Sequence, residues 1–171
     1  MKIGIDIDNT LVSTSESFDR LVKKYSIDFK KKYSDIFITW TEEERDIIFK
    51  KYLREILINA EFKDGAVKAL KELSSLGNKL YIITARRNHY CLDIEEATLK
   101  IIKDNDIKIE EIYFGQNKKS DVAKMLNLDL MIDDDIKVYD NMIKEGIDCI
   151  LFGDKIKTWK EVLEYINRKE W

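Results

Sequence analysis

The 171-residue chain contains no proline and a single histidine, with only six glycines and two cysteines. Average usage of about 5% would supply roughly eight prolines, so proline-rich linkers and recognition segments are excluded. His89 stands alone, and Cys91 and Cys149 lie far apart without CxxC spacing, so the residue types of a zinc site are missing. Both cysteines adjoin apolar residues and read as reduced core thiols of a reducing compartment. No stretch approaches the ~18 apolar residues of a membrane span. Acidic residues at 6 and 8 occupy the place where a signal peptide needs an apolar core, so a cytoplasmic protein is expected. Charge of neither sign dominates, at 30 Lys and Arg against 33 Asp and Glu. That balance argues against bulk nucleic-acid binding and leaves room for a small anionic ligand.

What is present is a core-forming composition, 44% hydrophobic, in a length that suits one domain with room for an insertion. From residue 62 onward the chain repeats an amphipathic helix, a short apolar run and a polar cluster. Ala66, Ala69, Leu70, Leu73 and Leu76 recur at helical spacing before Gly77, a C-terminal cap, and "LYIIT" (80–84) follows as a strand. Helices are expected near 92–104, 119–126 and 136–145, strands at "IYFG" (112–115), "LMID" (130–133) and "CILF" (149–152), and a last helix around Trp159 to Ile166. With the opening strand, this alternation predicts an α/β protein with a doubly wound, Rossmann-like parallel sheet of five strands. Residues 14–61 break the rhythm by offering helices without a parallel strand, and they read as an insertion. Thr41 and Glu44 form a capping box that opens a helix over about 42–57. The lysines at 30, 31 and 32 read as a solvated helix face.

Three of the strands end in residues that a core would not choose. "DIDNT" (6–10) closes the first, Thr84-Ala85-Arg86 the second and Asp133-Asp134-Asp135 the fourth. Alternation along an extended chain puts Asp6 and Asp8 on one face, where a separation of about 6 to 7 Å costs on the order of 2.5 kcal/mol at an effective dielectric of 20. A cation is needed nearby. In an open parallel sheet, ligands bind beyond the carboxyl ends of the strands where strand order reverses. With the order 3-2-1-4-5, that reversal sets Asp6 and Asp8 beside Asp133 and Asp134. An all-oxygen acidic cluster suits Mg²⁺. Asp135 reads instead as the cap of the helix beginning at Ile136.

These motifs resemble the haloacid dehalogenase-like phosphohydrolase superfamily: a DxDxT strand, a strand ending in Thr or Ser, a Lys before a later strand, and a strand ending in DD. All four occur in order as "DIDNT", "IITAR" (82–86), Lys118 or Lys119, and "IDDD" (132–135). "IGIDIDNTL", "ITAR" and "KKSDVAKMLNLDLMIDD" are most similar to the nucleotidase branch related to 5′(3′)-deoxyribonucleotidases. The resemblance implies a catalytic core of residues 1–13 and 62–171 and a helical cap of residues 14–61. It also implies Asp6 as nucleophile, Asp8 as general acid and base, and Thr84 and Lys119 as catalytic partners. Thr84, Ala85, Arg86 and Lys119 bind the phosphoryl group, and Asp6, Asp8 through its carbonyl, Asp133 and Asp134 hold Mg²⁺. Lys119 is preferred to Lys118 because it directly precedes "SDVAKML".

The implied reaction is hydrolysis of a small phosphomonoester through an aspartyl-phosphate, with a nucleoside monophosphate as first expectation. Another phosphorylated metabolite, a nucleic-acid end, or a non-catalytic phosphoacceptor module are the alternatives. Receiver domains place their acidic pair before the lysine, whereas here the DD pair follows it. Thr10 is read as a turn stabiliser. Phe37, Trp40, Arg86, Arg87 and Tyr90 are candidates to stack on a base or bind a second anion. Asn9 stands where the superfamily usually has glycine or another small residue.

Overall fold

The computed structural model describes residues 1–25, 31–33, 36, 38–89 and 91–169. Lys30, Phe37 and Tyr90 therefore lie outside the described residues. The strands are β1 (Lys2–Ile5), β2 (Lys79–Ile83), β3 (Glu111–Tyr113), β4 (Leu130–Asp133) and β5 (Asp148–Leu151). They form one parallel sheet in the order β3-β2-β1-β4-β5, as the sequence predicts.

Alternation along the strands splits the sheet's cover in two. Ile3, Ile5, Leu80, Ile82, Leu130, Ile132 and Ile150 face one way, onto Ala69, Leu70 and Leu73 of α4 (Ala66–Ser75) and Trp159, Val162 and Ile166 of α8 (Trp159–Arg168). Tyr81, Ile83, Met131 and Cys149 face the other way, onto Val122 and Ala123 of α6 (Lys119–Leu126) and Met142 of α7 (Ile136–Lys144). Gly4 lies on this second face because nothing larger fits. A Cβ there would stand 2.5 Å from Leu128 Cδ1 and 2.8 Å from Met131 Sδ.

The segment after β1 builds a core of its own. Phe18 and Leu21 of α1 (Thr14–Lys24), Ile36 and Trp40 ahead of α2 (Glu42–Lys51), Ile48 and Phe49 of that helix, and Ile56 of α3 (Leu53–Ile58) form one cluster. Leu57 instead joins Cys91 and Ile94, where α5 (Ile94–Asp104) begins. The capping box of Thr41 and Glu44 is present, and Asp135 caps α7 by accepting from the Lys137 amide at 2.8 Å. One helix departs from expectation: the stretch predicted as 42–57 is interrupted at Tyr52, whose backbone sits at φ −127°. That departure seats the Tyr52 ring against Tyr25, 5.4 Å between centroids. The helix expected from 92 starts at Ile94, and the carboxylate of its N-cap residue Asp93 is bound by Arg54 rather than by the helix amides.

Candidate active site

Register carries the acids together. Ile5 is level with Ile132 of β4 and Ile82 of β2, so the next residues along bring Asp6 beside Asp133. The Asp6 amide donates to the Ile132 carbonyl at 3.0 Å and extends the pairing by one step. At the first position of α6, Lys119 turns into this rim and binds the carboxylates of both Asp6 and Asp133, the latter at 2.8 Å. All three side chains are at least nine-tenths buried. Lys118 instead faces solvent, paired with Asp121 at 2.8 Å. On the other side of the cluster, Thr10 donates its hydroxyl to Asp134 Oδ1 at 3.1 Å, while its carbonyl accepts from Trp159 Nε1. Thr10 thus fixes an acid as well as a turn.

Oxygens of Asp6, Asp133 and Asp134 all lie within 4.8 Å of one another. Burial pushes the Asp6 carboxyl up to about 7, against the pull of Lys119 and with added repulsion from Asp133 and Asp8. Burial, then the charge of Asp6, pushes Asp134 up to about 7 as well. Burial works against the Lys119 charge, yet Asp6 and Asp133 hold it above the ordinary ammonium range. Three carboxylates facing one ammonium leave two negative charges uncompensated. A hard dication with oxygen ligands matches both that charge and that donor set, so the residues fit Mg²⁺.

Asp8 goes elsewhere. Its carboxylate accepts from Arg86 Nε at 3.0 Å and Nη2 at 2.8 Å, and from the Thr14 hydroxyl at 2.5 Å. Burial raises its pKa, but Arg86 and Thr14 outweigh burial and hold the carboxyl below its ordinary range. The repulsion expected between the two aspartates is therefore met by two separate cations, Lys119 on Asp6 and Arg86 on Asp8. The turn that follows Asp8 needs a left-handed residue at position 9. Asn9 supplies it at φ 59°, and its side-chain oxygen accepts from the Ser15 amide at 2.8 Å, a bond that glycine lacks.

Thr84 is fully buried at the end of β2, with its hydroxyl oxygen accepting from the Arg86 amide at 3.2 Å. Ala85 is exposed. The Arg86 guanidinium, 3% exposed, is committed to Asp8 and to the Thr98 hydroxyl at 3.2 Å. Trp40 packs edge-on against Phe18 inside the α1–α3 cluster and is 4% exposed. Sequence reasoning named Arg86 only as a ligand for an anion, and it missed Thr14 and Thr98 altogether. The one available signal was that β1 and β2 would be neighbours, which brings the ends of "DIDNT" and "ITAR" together.

The chain is 26% identical over 166 residues to a protein of Oceanobacillus iheyensis named "Putative nucleotidase OB0422", covering 88% of this chain and 86% of that protein. Its structure is similar to that of a predicted phosphatase from Clostridium acetobutylicum, at TM-score 0.66 and 15% identity over 98% of both chains. A HAD-superfamily hydrolase from Ehrlichia chaffeensis gives TM-score 0.58 and 15% identity, over 98% of this chain and 96% of that one. No family model matches the chain. The sheet order is that of a Rossmann-like fold, and the acidic rim lies at the carboxyl ends of its strands. With the four motifs in order, the chain resembles the haloacid dehalogenase-like superfamily, and its fold is similar to that of these hydrolases.

Proposed function

We propose that the chain is a Mg²⁺-dependent phosphomonoester hydrolase that works through an aspartyl-phosphate on Asp6, with (deoxy)nucleoside monophosphates as substrates. One observation carries the reading: a buried cluster of three carboxylates and one ammonium, two negative charges in excess, at the edge of the sheet where ligands bind. The choice of nucleotides rests on the sequence phrasing and on similarity to the Oceanobacillus protein.

Asp6 attacks phosphorus as the nucleophile, and the bond from phosphorus to the leaving oxygen breaks. Asp8 gives that oxygen a proton, then takes one from the water that cleaves the aspartyl-phosphate. The Thr84 hydroxyl, the Ala85 amide and Lys119 hold the phosphoryl oxygens, and Lys119 also offsets the nucleophile's charge. Arg86 serves the site through Asp8, since its guanidinium is already engaged there. Asp6, Asp133 and Asp134, with the Asp8 carbonyl, would hold Mg²⁺. When bound, the ion neutralises charge on the phosphoryl group. Residues 14–61 act as the cap over this rim, their separate hydrophobic cluster giving the segment a rigidity of its own.

The test is a screen of phosphorylated metabolites, nucleoside monophosphates among them, with Mg²⁺ present. Turnover of a monoester that falls to background in Asp6→Asn is the expected result. Full activity in Asp6→Asn overturns the mechanism.

A further inference from the structure

We propose that the groove beside the acidic rim is a subsite for a second anionic group, so that the favoured substrate is a phosphomonoester whose leaving group carries another phosphate. The inference rests on the phosphohydrolase reading above and deepens it by naming what lies beyond the bond that breaks. The groove has a volume of about 610 Å³, a size that suits a small-molecule site, and Asn9, Ser15, Lys63, Asp134, Phe152 and Lys157 are among its lining residues. Donors dominate it. Asn9 spends its side-chain oxygen on the Ser15 amide at 2.8 Å. Among the described residues, its NH2 group, the Ser15 hydroxyl and the ammonium groups of Lys63 and Lys157 make no hydrogen bond and no ion pair. Of the two acids on the groove, Asp134 belongs to the rim and accepts from Thr10, and Asp154 is exposed. Two ammonium groups against the Asp154 carboxylate leave a positive charge in excess.

Both lysines stand on backbone tied to the loop that follows β1. The Lys63 amide donates to the Leu11 carbonyl at 3.0 Å, and its Nζ stands over the Phe152 ring, 5.7 Å from the centroid. Two residues beyond Lys157, Trp159 Nε1 donates to the Thr10 carbonyl at 3.1 Å, while the Lys157 amide itself donates to Glu161 Oε2 at 2.8 Å. Thr10 and Leu11 end the stretch that begins with Asp6, so the groove and the rim share one frame. Placing the donors in advance favours binding, because less order is lost when the ligand arrives. A phosphate matches this donor set, since its several oxygens and its double charge engage many donors together. A base does not. Phe152, the aromatic residue that lines the groove, is 5% exposed and offers no open face for stacking.

Calorimetry on the full chain carrying Asp6→Asn, with Mg²⁺ present, measures binding apart from turnover. The probes are two pairs: a nucleoside 5′-monophosphate with its 3′,5′-bisphosphate, and fructose 6-phosphate with fructose 1,6-bisphosphate. In at least one pair the bisphosphate should bind about 10- to 100-fold more tightly, the range that charge-assisted hydrogen bonds supply. Adding Lys63→Gln and Lys157→Gln together should bring the two Kd values of that pair to within about threefold of each other. The pair that shows the advantage identifies the skeleton, nucleoside or sugar. Equal Kd values within both pairs overturn the proposal, as does an advantage that survives both substitutions. Should the double variant fail to fold, Lys157→Gln alone, at an exposed position, should cut the advantage by at least about threefold, and an unchanged ratio overturns the subsite. Wild-type turnover keeps the two readings apart. A chain that binds the bisphosphate tightly but hydrolyses no phosphomonoester overturns the phosphohydrolase reading, whereas an active chain with equal Kd values overturns only the subsite.

Discussion

Metal-free protein should lose stability as pH rises from about 4 to about 7, and Mg²⁺ should offset much of that loss. Burial lifts the Asp6 carboxyl from its ordinary value near 3.8 to about 7, so across this window the folded chain holds a proton that the unfolded chain has released. Stability falls with pH wherever the native state binds more protons. The penalty is absent below pH 4, grows through the window and is complete above 7. At 1.36 kcal/mol for each pH unit traversed, the Asp6 carboxyl alone contributes about 4 kcal/mol. Asp134 is lifted in the same direction, but the two acids interact, so their contributions do not simply add. Asp8 acts in the opposite sense: burial raises its pKa, Arg86 and Thr14 more than reverse this, and its stabilisation is lost only in strong acid. It therefore leaves the window clear. For a chain of this length, 1 kcal/mol moves Tm by roughly 2 to 4 °C, and about 3 kcal/mol of the penalty falls between pH 4.5 and 7.5, so thermal unfolding in a chelator should show Tm dropping by at least about 6 °C across that range. Saturating Mg²⁺ binds the ionised carboxylates and adds about 2.7 kcal/mol at one hundred times its Kd, most effectively at the alkaline end. A flat Tm in chelator, or one slope with and without the ion, refutes the charge argument.

Two further substitutions probe how the fold supports the rim. Gly4→Ala drives a methyl to within 2.5 Å of Leu128 Cδ1, in a face where Leu128 and Met131 are both buried. Overpacking of this kind costs about 2 kcal/mol, read as a denaturant midpoint shifted down with an unchanged m-value. Thr10→Val keeps the shape of a fully buried residue and removes the hydroxyl that Asp134 accepts. It should cost about 1 kcal/mol in stability and about 10-fold or more in Mg²⁺ affinity by calorimetry.

The sheet was legible because its signals are local. Apolar runs of four or five residues alternating with 3.6-period helices forecast β1 to β5 and their order, and the acids could be placed because each ends such a run. Helix breaks were not legible in the same way. Nothing within residues 42–57 announces the interruption at Tyr52, whose ring meets Tyr25 from a different helix. Nor does the local sequence at Asp93 reveal that Arg54, 39 residues away, takes its carboxylate.

Pairing of charges shows the same limit most clearly. Near the rim the sequence offers cations as adjacent pairs, Arg86 with Arg87 and Lys118 with Lys119, and residue type cannot choose within either. The fold chooses by direction. Lys119 is the first residue of α6 and points back into the rim, while Lys118, one residue earlier, points out to Asp121. Arg86 is buried against Asp8 and Thr98, while Arg87 is exposed. Each inward cation then neutralises a different acid. Lys119 sits with Asp6 and the acids that suit a dication, whereas Arg86 isolates Asp8 from that group and ties it to α5. One cation serving both aspartates would leave their protons interchangeable. Two cations give Asp6 and Asp8 separate electrostatic environments, although only Ile7 separates the two residues in the chain.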